Sequence, residues 1–117
     1  MLYFCEVKGR FYKYQGTGND FVVVDGREWT QEWQTQEVVD VCSRKWGVGS
    51  DGLIVVKPSE WYDFEMIFFN PDGSQSFCGN GSRAAVRFYC DHFENKRELS
   101  FAAIDGNHLA SIVDSEI

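Results

Sequence analysis

The chain has 117 residues, which fits one domain able to bury a real core. Hydrophobic residues make up 44% and charged residues 25%, the balance of an ordinary globular protein, and the net charge is −7. No run of Lys and Arg exceeds two, so the basic stripe of a nucleic-acid binder is lacking, and an acidic chain gains nothing at an anionic membrane surface.

The opening stretch, "MLYFCEVKGRFYKYQG", has no basic segment followed by an apolar one, so a cytoplasmic location is expected. No apolar run approaches the roughly 18 residues of a spanning helix. Phe11–Tyr14 and Phe21–Asp25 read as strands around the turn "QGTGND". The second, "FVVVD", is the continuous apolar run of a fully buried strand. Thr35 to Trp46 places Val38, Val39, Cys42 and Trp46 at helical spacing, with Thr35 as N-cap and Gly47 as stop. "GVGSDG" is a loop, Leu53–Val56 a strand stopped by Pro58, and Phe64–Phe69 a strand stopped by the turn "NPDGS". After Gly81 a helix follows. Its Ala84, Ala85, Val86, Phe88, Tyr89 and Cys90 cover nearly the whole circumference, the mark of a buried helix. Leu99–Ile104 and His108–Val113 alternate on either side of "DGN" and form a hairpin.

The order β-β-α-β-β-α-β-β predicts an α+β domain. A curved, mostly antiparallel sheet wraps the helix that begins near Cys78.

Four cysteines, Cys5, Cys42, Cys78 and Cys90, are 37, 36 and 12 residues apart with no CxxC. His92 and His108 complete no ligand pattern, so no metal is expected. Cys5, Cys42 and Cys90 read as small core residues. Cys78 differs. It precedes a helix start, where unpaired N–H groups and the positive dipole end favour an anionic sulfur. Gly79 and Gly81 allow a ligand close to those amides, which also bind carboxylates. "CGNG" and "GTGND" are weak motifs singly, since glycine before a helix or in a hairpin is common. Asn19 and Asn70 can fix an amino-acid head group or merely cap a turn.

Three segments together are specific. "KYQGTGNDFVVVD" (Lys13–Asp25), "RKWGVGSDGLIVV" (Arg44–Val56) and "FNPDGSQSFCGNGSR" (Phe69–Arg83) resemble, in order and spacing, motifs of the amino-terminal half of diaminopimelate epimerase. The resemblance implies one lobe of a two-lobed fold and an enzyme without cofactor. That enzyme interconverts LL- and meso-diaminopimelate, a precursor of lysine and peptidoglycan, with two cysteines on opposite faces of the α-carbon. Carried over by motif, Cys78 is one catalytic cysteine, Gly79 and Asn80 meet the α-carboxylate region, and Asn19 and Asn70 contact substrate. Where some members carry a side-chain amide this chain has Gly52, and the stretch Asn70–Cys78 is one residue shorter than in many members. The second cysteine belongs to the carboxy-terminal lobe, which is expected to be absent from residues 1–117, so the chain alone is expected to be inactive. Homodimers are common in the family. Rival readings are a proline racemase-like or hydroxyproline epimerase-like enzyme, in which His stands at the place of Asn80, and a phenazine-type isomerase, in which a carboxylate replaces the thiol. A non-catalytic binding or assembly module is the rival from another class.

Overall fold

A computed structural model describes residues 9–16 and 18–112. Cys5 and Val113 lie outside the described residues. β1 (Tyr12–Gly16) and β2 (Asn19–Asp25) form an antiparallel hairpin in which Gly16 faces Asn19. Gly18 at its tip has φ +84°, a region closed to most side chains. The hairpin is tighter than the sequence predicts: Asn19 and Asp20, expected in the turn, are the first residues of β2.

α1 (Thr35–Cys42) crosses over to β3 (Leu53–Lys57), which runs parallel to β2. The cap is Gln34 and not Thr35; its backbone N–H donates to Glu37 Oε1 at 2.8 Å. α1 also stops four residues short of the expected Trp46, because Ser43 Oγ accepts from the Lys45 and Trp46 amides, at 3.2 and 3.0 Å, that a longer helix would use internally. The Gly49 and Ser50 amides then take the Val41 and Cys42 carbonyls. Val38, Val41 and Cys42 face the core, whereas Val39 is half-buried and Trp46 is 70% exposed.

β4 (Phe64–Phe69) returns antiparallel to β3. α2 (Gly79–His92) crosses to β5 (Glu98–Ala103), parallel to β4, and β6 (Gly106–Ser111) closes a second hairpin. The sheet order follows the chain, β1-β2-β3-β4-β5-β6. The fold is thus α+β with a mixed sheet: three antiparallel pairings and two parallel ones, each parallel pairing spanned by a helix, as parallel neighbours require.

The two helices cover opposite faces. α2 packs through Ala85, Phe88 and Tyr89 on Phe21, Val23, Ile54, Val56, Phe64 and Met66. α1 and Trp29 pack on Val22, Val24, Leu53 and Val55 of the other face. Because both faces of β2 are covered, its successive residues Phe21, Val22, Val23 and Val24 are all apolar and all buried. Full burial of a side chain such as Phe88 contributes about 1.5–3 kcal/mol. α2 is less enclosed than its composition suggests: Arg83 is exposed, and Val86 and Arg87 are half-buried beside β6. Its carboxyl end is fixed by Arg27, which makes a two-nitrogen contact with the Asp25 carboxylate, donates to the His92 carbonyl and stacks 3.7 Å above the Phe93 ring. Among the described residues no helix is long and apolar enough to cross a membrane.

Candidate active site

Cys78 is the N-cap of α2, with extended backbone (φ −133°, ψ 118°). Its Sγ accepts from the Gly81 N–H at 3.3 Å, as a serine or aspartate oxygen would at this position. An N–H aimed at sulfur is stronger when the sulfur is anionic. Cys78 is half-buried, whereas Cys42 and Cys90 are buried. A Cβ added at Gly79 would meet nothing within 4 Å, so one side of the first turn lies open to a ligand. Gly81 is the opposite case: a Cβ there would stand 3.2 Å from the Phe68 ring and 3.3 Å from Cys78 Cβ. The helix start is therefore seated directly on Phe68.

Asn80 joins Cys78 to a remote part of the chain. Its Nδ2 donates to Asn19 Oδ1 at 2.9 Å, across 61 residues of sequence. Asn19 in turn donates from Nδ2 to Asp51 Oδ2 at 3.3 Å. Behind this amide pair lies a network of charges. Asp51 Oδ2 also accepts the Asp20 N–H at 3.0 Å, and Asp51 Oδ1 pairs with Arg44 at 3.0 Å. Arg44 and Lys13 each reach Asp20 at 2.8 Å, and Lys13 also donates to the Gly49 carbonyl. Arg44 first, then Lys13, holds the Asp20 carboxyl well below the usual carboxylate range. An opening of about 480 Å³ is lined by Gln15, Gly18, Asn19, Asp20, Arg44 and Asp51.

Asn70 is placed differently. Its Nδ2 donates to Ser74 O, Ser74 Oγ and Ser76 Oγ at 3.1–3.2 Å, so its amide organises the turn that leads to Cys78. No hydrogen bond joins it to Asn19 or Asn80. At Gly52 a Cβ would stand 2.6 Å from the Phe68 ring, so a larger side chain there requires the ring to move.

The structure thus brings Cys78, Gly79, Asn80 and Asn19 into one continuous arrangement and leaves Asn70 as its neighbour in the turn. Lys13, Asp20, Arg44 and Asp51 were not singled out from the sequence. All four lie in the quoted "KYQGTGND" and "RKWGVGSDG" segments, and charged residues beside glycine turns were the available signal.

Solved structures of similar fold include a phenazine biosynthesis protein of the PhzF family from Bacillus anthracis, with TM-score 0.63 and 19% identity over 91% of this chain and 36% of that one. Another, from Enterococcus faecalis, has TM-score 0.66 and 12% identity over 91% of this chain and 41% of that one. At such identities the likeness concerns the fold. A family model described as diaminopimelate epimerase matches residues 11–116. Curated relatives carrying that name are 42% identical in Flavobacterium psychrophilum, over 92% of this chain, and 50% identical in a Synechococcus strain, over 69% of it. The chain belongs to the diaminopimelate epimerase family, a family of isomerases. It spans 43% of the length of the Flavobacterium relative and 30% of the Synechococcus one.

Proposed function

We propose that this chain supplies half of a cofactor-independent epimerase site that interconverts LL- and meso-diaminopimelate, with Cys78 as one of two acid–base thiols. The observation that carries the reading is the Cys78 sulfur on the first turn of α2, beside the unobstructed Gly79 and the Asn19–Asn80 pair, in a chain of this family.

Inverting a stereocentre requires proton removal on one face and delivery on the other. A thiolate takes the α-proton and becomes a thiol, and the bond's electron pair stays on carbon. A second thiol across the substrate protonates the opposite face and becomes the thiolate for the reverse turnover. The amides of Gly79 and Asn80 receive the α-carboxylate, where negative charge builds as the proton leaves. Asn19 and Asn80 contact the polar head group. Asn70, with its NH₂ engaged in its own turn, offers its carbonyl oxygen. The second thiol belongs to a second lobe, in keeping with the share of the relatives' length that the chain spans.

The test is deuterium wash-in at the α-carbon of both isomers in heavy water, together with alkylation of each cysteine. The chain alone is expected to give no inversion, and its Cys78 to alkylate much faster than Cys42, whose thiol burial pushes up. Inversion by this chain alone would overturn the division of thiols between lobes. Equal alkylation rates at Cys78 and Cys42 would end the acid–base role.

A further inference from the structure

A primary amide is ambivalent: it offers a donor on one side and an acceptor of nearly the same shape on the other. A carboxylate is not, because it only accepts. Asn19 therefore has one workable orientation beside Asp51. Its NH₂ faces the Asp51 carboxylate at 3.3 Å, and its carbonyl oxygen is turned to Asn80. Asn80 is constrained in the same sense. Its NH₂ meets the Asn19 oxygen at 2.9 Å, and its own Oδ1 has no partner among the described residues.

We propose that Asp51 is a positioning residue that fixes the polarity of the Asn19–Asn80 chain, so that Asn80 presents a carbonyl oxygen and selects a ligand N–H donor, an ammonium, at that point. The first-turn amides beside it select a carboxylate. An α-amino acid carries both groups on one carbon. The identity of the ligand rests on the epimerase reading, but the polarity does not.

Asp51 is itself well fixed. Its N–H donates to the Asp20 carbonyl at 2.8 Å, Arg44 holds Oδ1, and the Asp20 N–H shares Oδ2 with Asn19. The loop that carries it is anchored by buried Ser50, whose Oγ donates to the Gly52 carbonyl at 2.8 Å and accepts the Gly52 N–H. Two donors thus converge on Oδ2 and one on Oδ1. In Asp51→Asn the amide oxygen settles toward the two donors, and the polarity survives. In Asp51→Ala nothing sets it.

The experiment is side-chain amide NMR on the ¹⁵N-labelled chain, free and with diaminopimelate or with pimelate, which lacks both ammonium groups. Wild type and Asp51→Asn are expected to give ordered Asn19 and Asn80 NH₂ pairs, with the Asn80 pair moved by diaminopimelate and not by pimelate. Asp51→Ala is expected to collapse both pairs while the backbone spectrum is retained, and to weaken diaminopimelate binding roughly tenfold, the worth of about one hydrogen bond. An Asn80 pair unmoved by Asp51→Ala, or shifted equally by pimelate, overturns the inference. So does collapse in Asp51→Asn, which serves where the alanine variant does not fold. If diaminopimelate moves no wild-type signal but Asp51→Ala still collapses the pairs, the positioning role stands and the epimerase reading loses its support.

Discussion

Gly52→Ala is the substitution whose consequences the geometry fixes most tightly. The added methyl would stand 2.6 Å from two atoms of the Phe68 ring and 3.1 Å from the Phe69 carbonyl. The ring cannot simply retreat. Phe68 is 5% exposed and meets Phe21 edge-on at 5.9 Å, and Gly81 of α2 packs against the same ring. Overpacking of this kind costs about 1–3 kcal/mol. In a chain of this length that corresponds to a melting-point drop of roughly 3–6 °C per kcal/mol. Phe68→Leu removes ring atoms from the contested space and alone costs about 1–1.5 kcal/mol. The decisive measurement is a double-mutant cycle by urea denaturation. The leucine gives the methyl room, so the double variant is expected to be at least about 1 kcal/mol more stable than the sum of the single effects. The displaced ring also bears on the α2 start, so Gly52→Ala is expected to change the alkylation rate of Cys78 and leave that of Cys90, at the far end of α2, alone. Additive stabilities, with both alkylation rates unchanged, would show that Phe68 does not couple the β3 entrance to the thiol.

Two further outcomes are expected. Burial pushes the Asp63 carboxyl up, but Lys96 at 2.7 Å and the Ser100 N–H at 2.8 Å outweigh it, so its folded pKa lies below the ordinary value. Its contribution is therefore complete above about pH 4 and is lost as pH falls through the folded value; Lys96→Met should move the acid-unfolding midpoint upward, and an unchanged midpoint would refute the pairing. Gly18→Ala forces a side chain to φ +84° in open surroundings and should cost about 1 kcal/mol from strain alone, while Gly18→Asn should cost less; equal melting points for the three chains would contradict the turn geometry.

The sequence made the strands and the thiol legible because their signals are local. Phe64–Phe69 was bounded correctly, with "NPDGS" as its stop, and Cys78 declared itself by standing before a glycine-rich helix start. α1 was legible as a helix but not in its phase. Val39 and Val41 are equally apolar, and only the sheet beneath decides that Val41 is the buried one. Its end was hidden because Ser43, a residue with no apolar signature, captures the Lys45 and Trp46 amides. At the site, Asn80 was singled out only through the family resemblance. Its tie to Asn19, and that of Asn19 to Asp51, span 61 and 32 residues and leave no periodic trace. Asn70 was legible as a turn residue. Which of its two amide faces is spent on the turn depends on Ser74 and Ser76, and the fold alone places them.

The topology explains why these distant residues meet. β2 and β3 are parallel, so Asn19 at the start of one and Asp51 before the start of the other lie at the same end of the sheet. β4 is antiparallel to β3, so its last residue, Phe69, pairs with Leu53 at that same end, and the turn after it leads to Cys78. The hairpin tip between β1 and β2 closes the end from the third side. α2 then runs away from it, presenting its amino terminus to the site and its carboxyl terminus to the Asp25–Arg27 clamp at the opposite end. A half-buried thiol at a helix start, an open first turn and an oriented amide pair thus require no long loop. They follow from placing two strand starts, one strand end and one helix start at a common edge, with Phe68 as the ring on which the helix start rests. This is also why the charged network sits behind the amides and not among them. Lys13, Asp20, Arg44 and Asp51 satisfy one another, and of the four only Asp51 reaches forward through its side chain to hold the Asn19 amide.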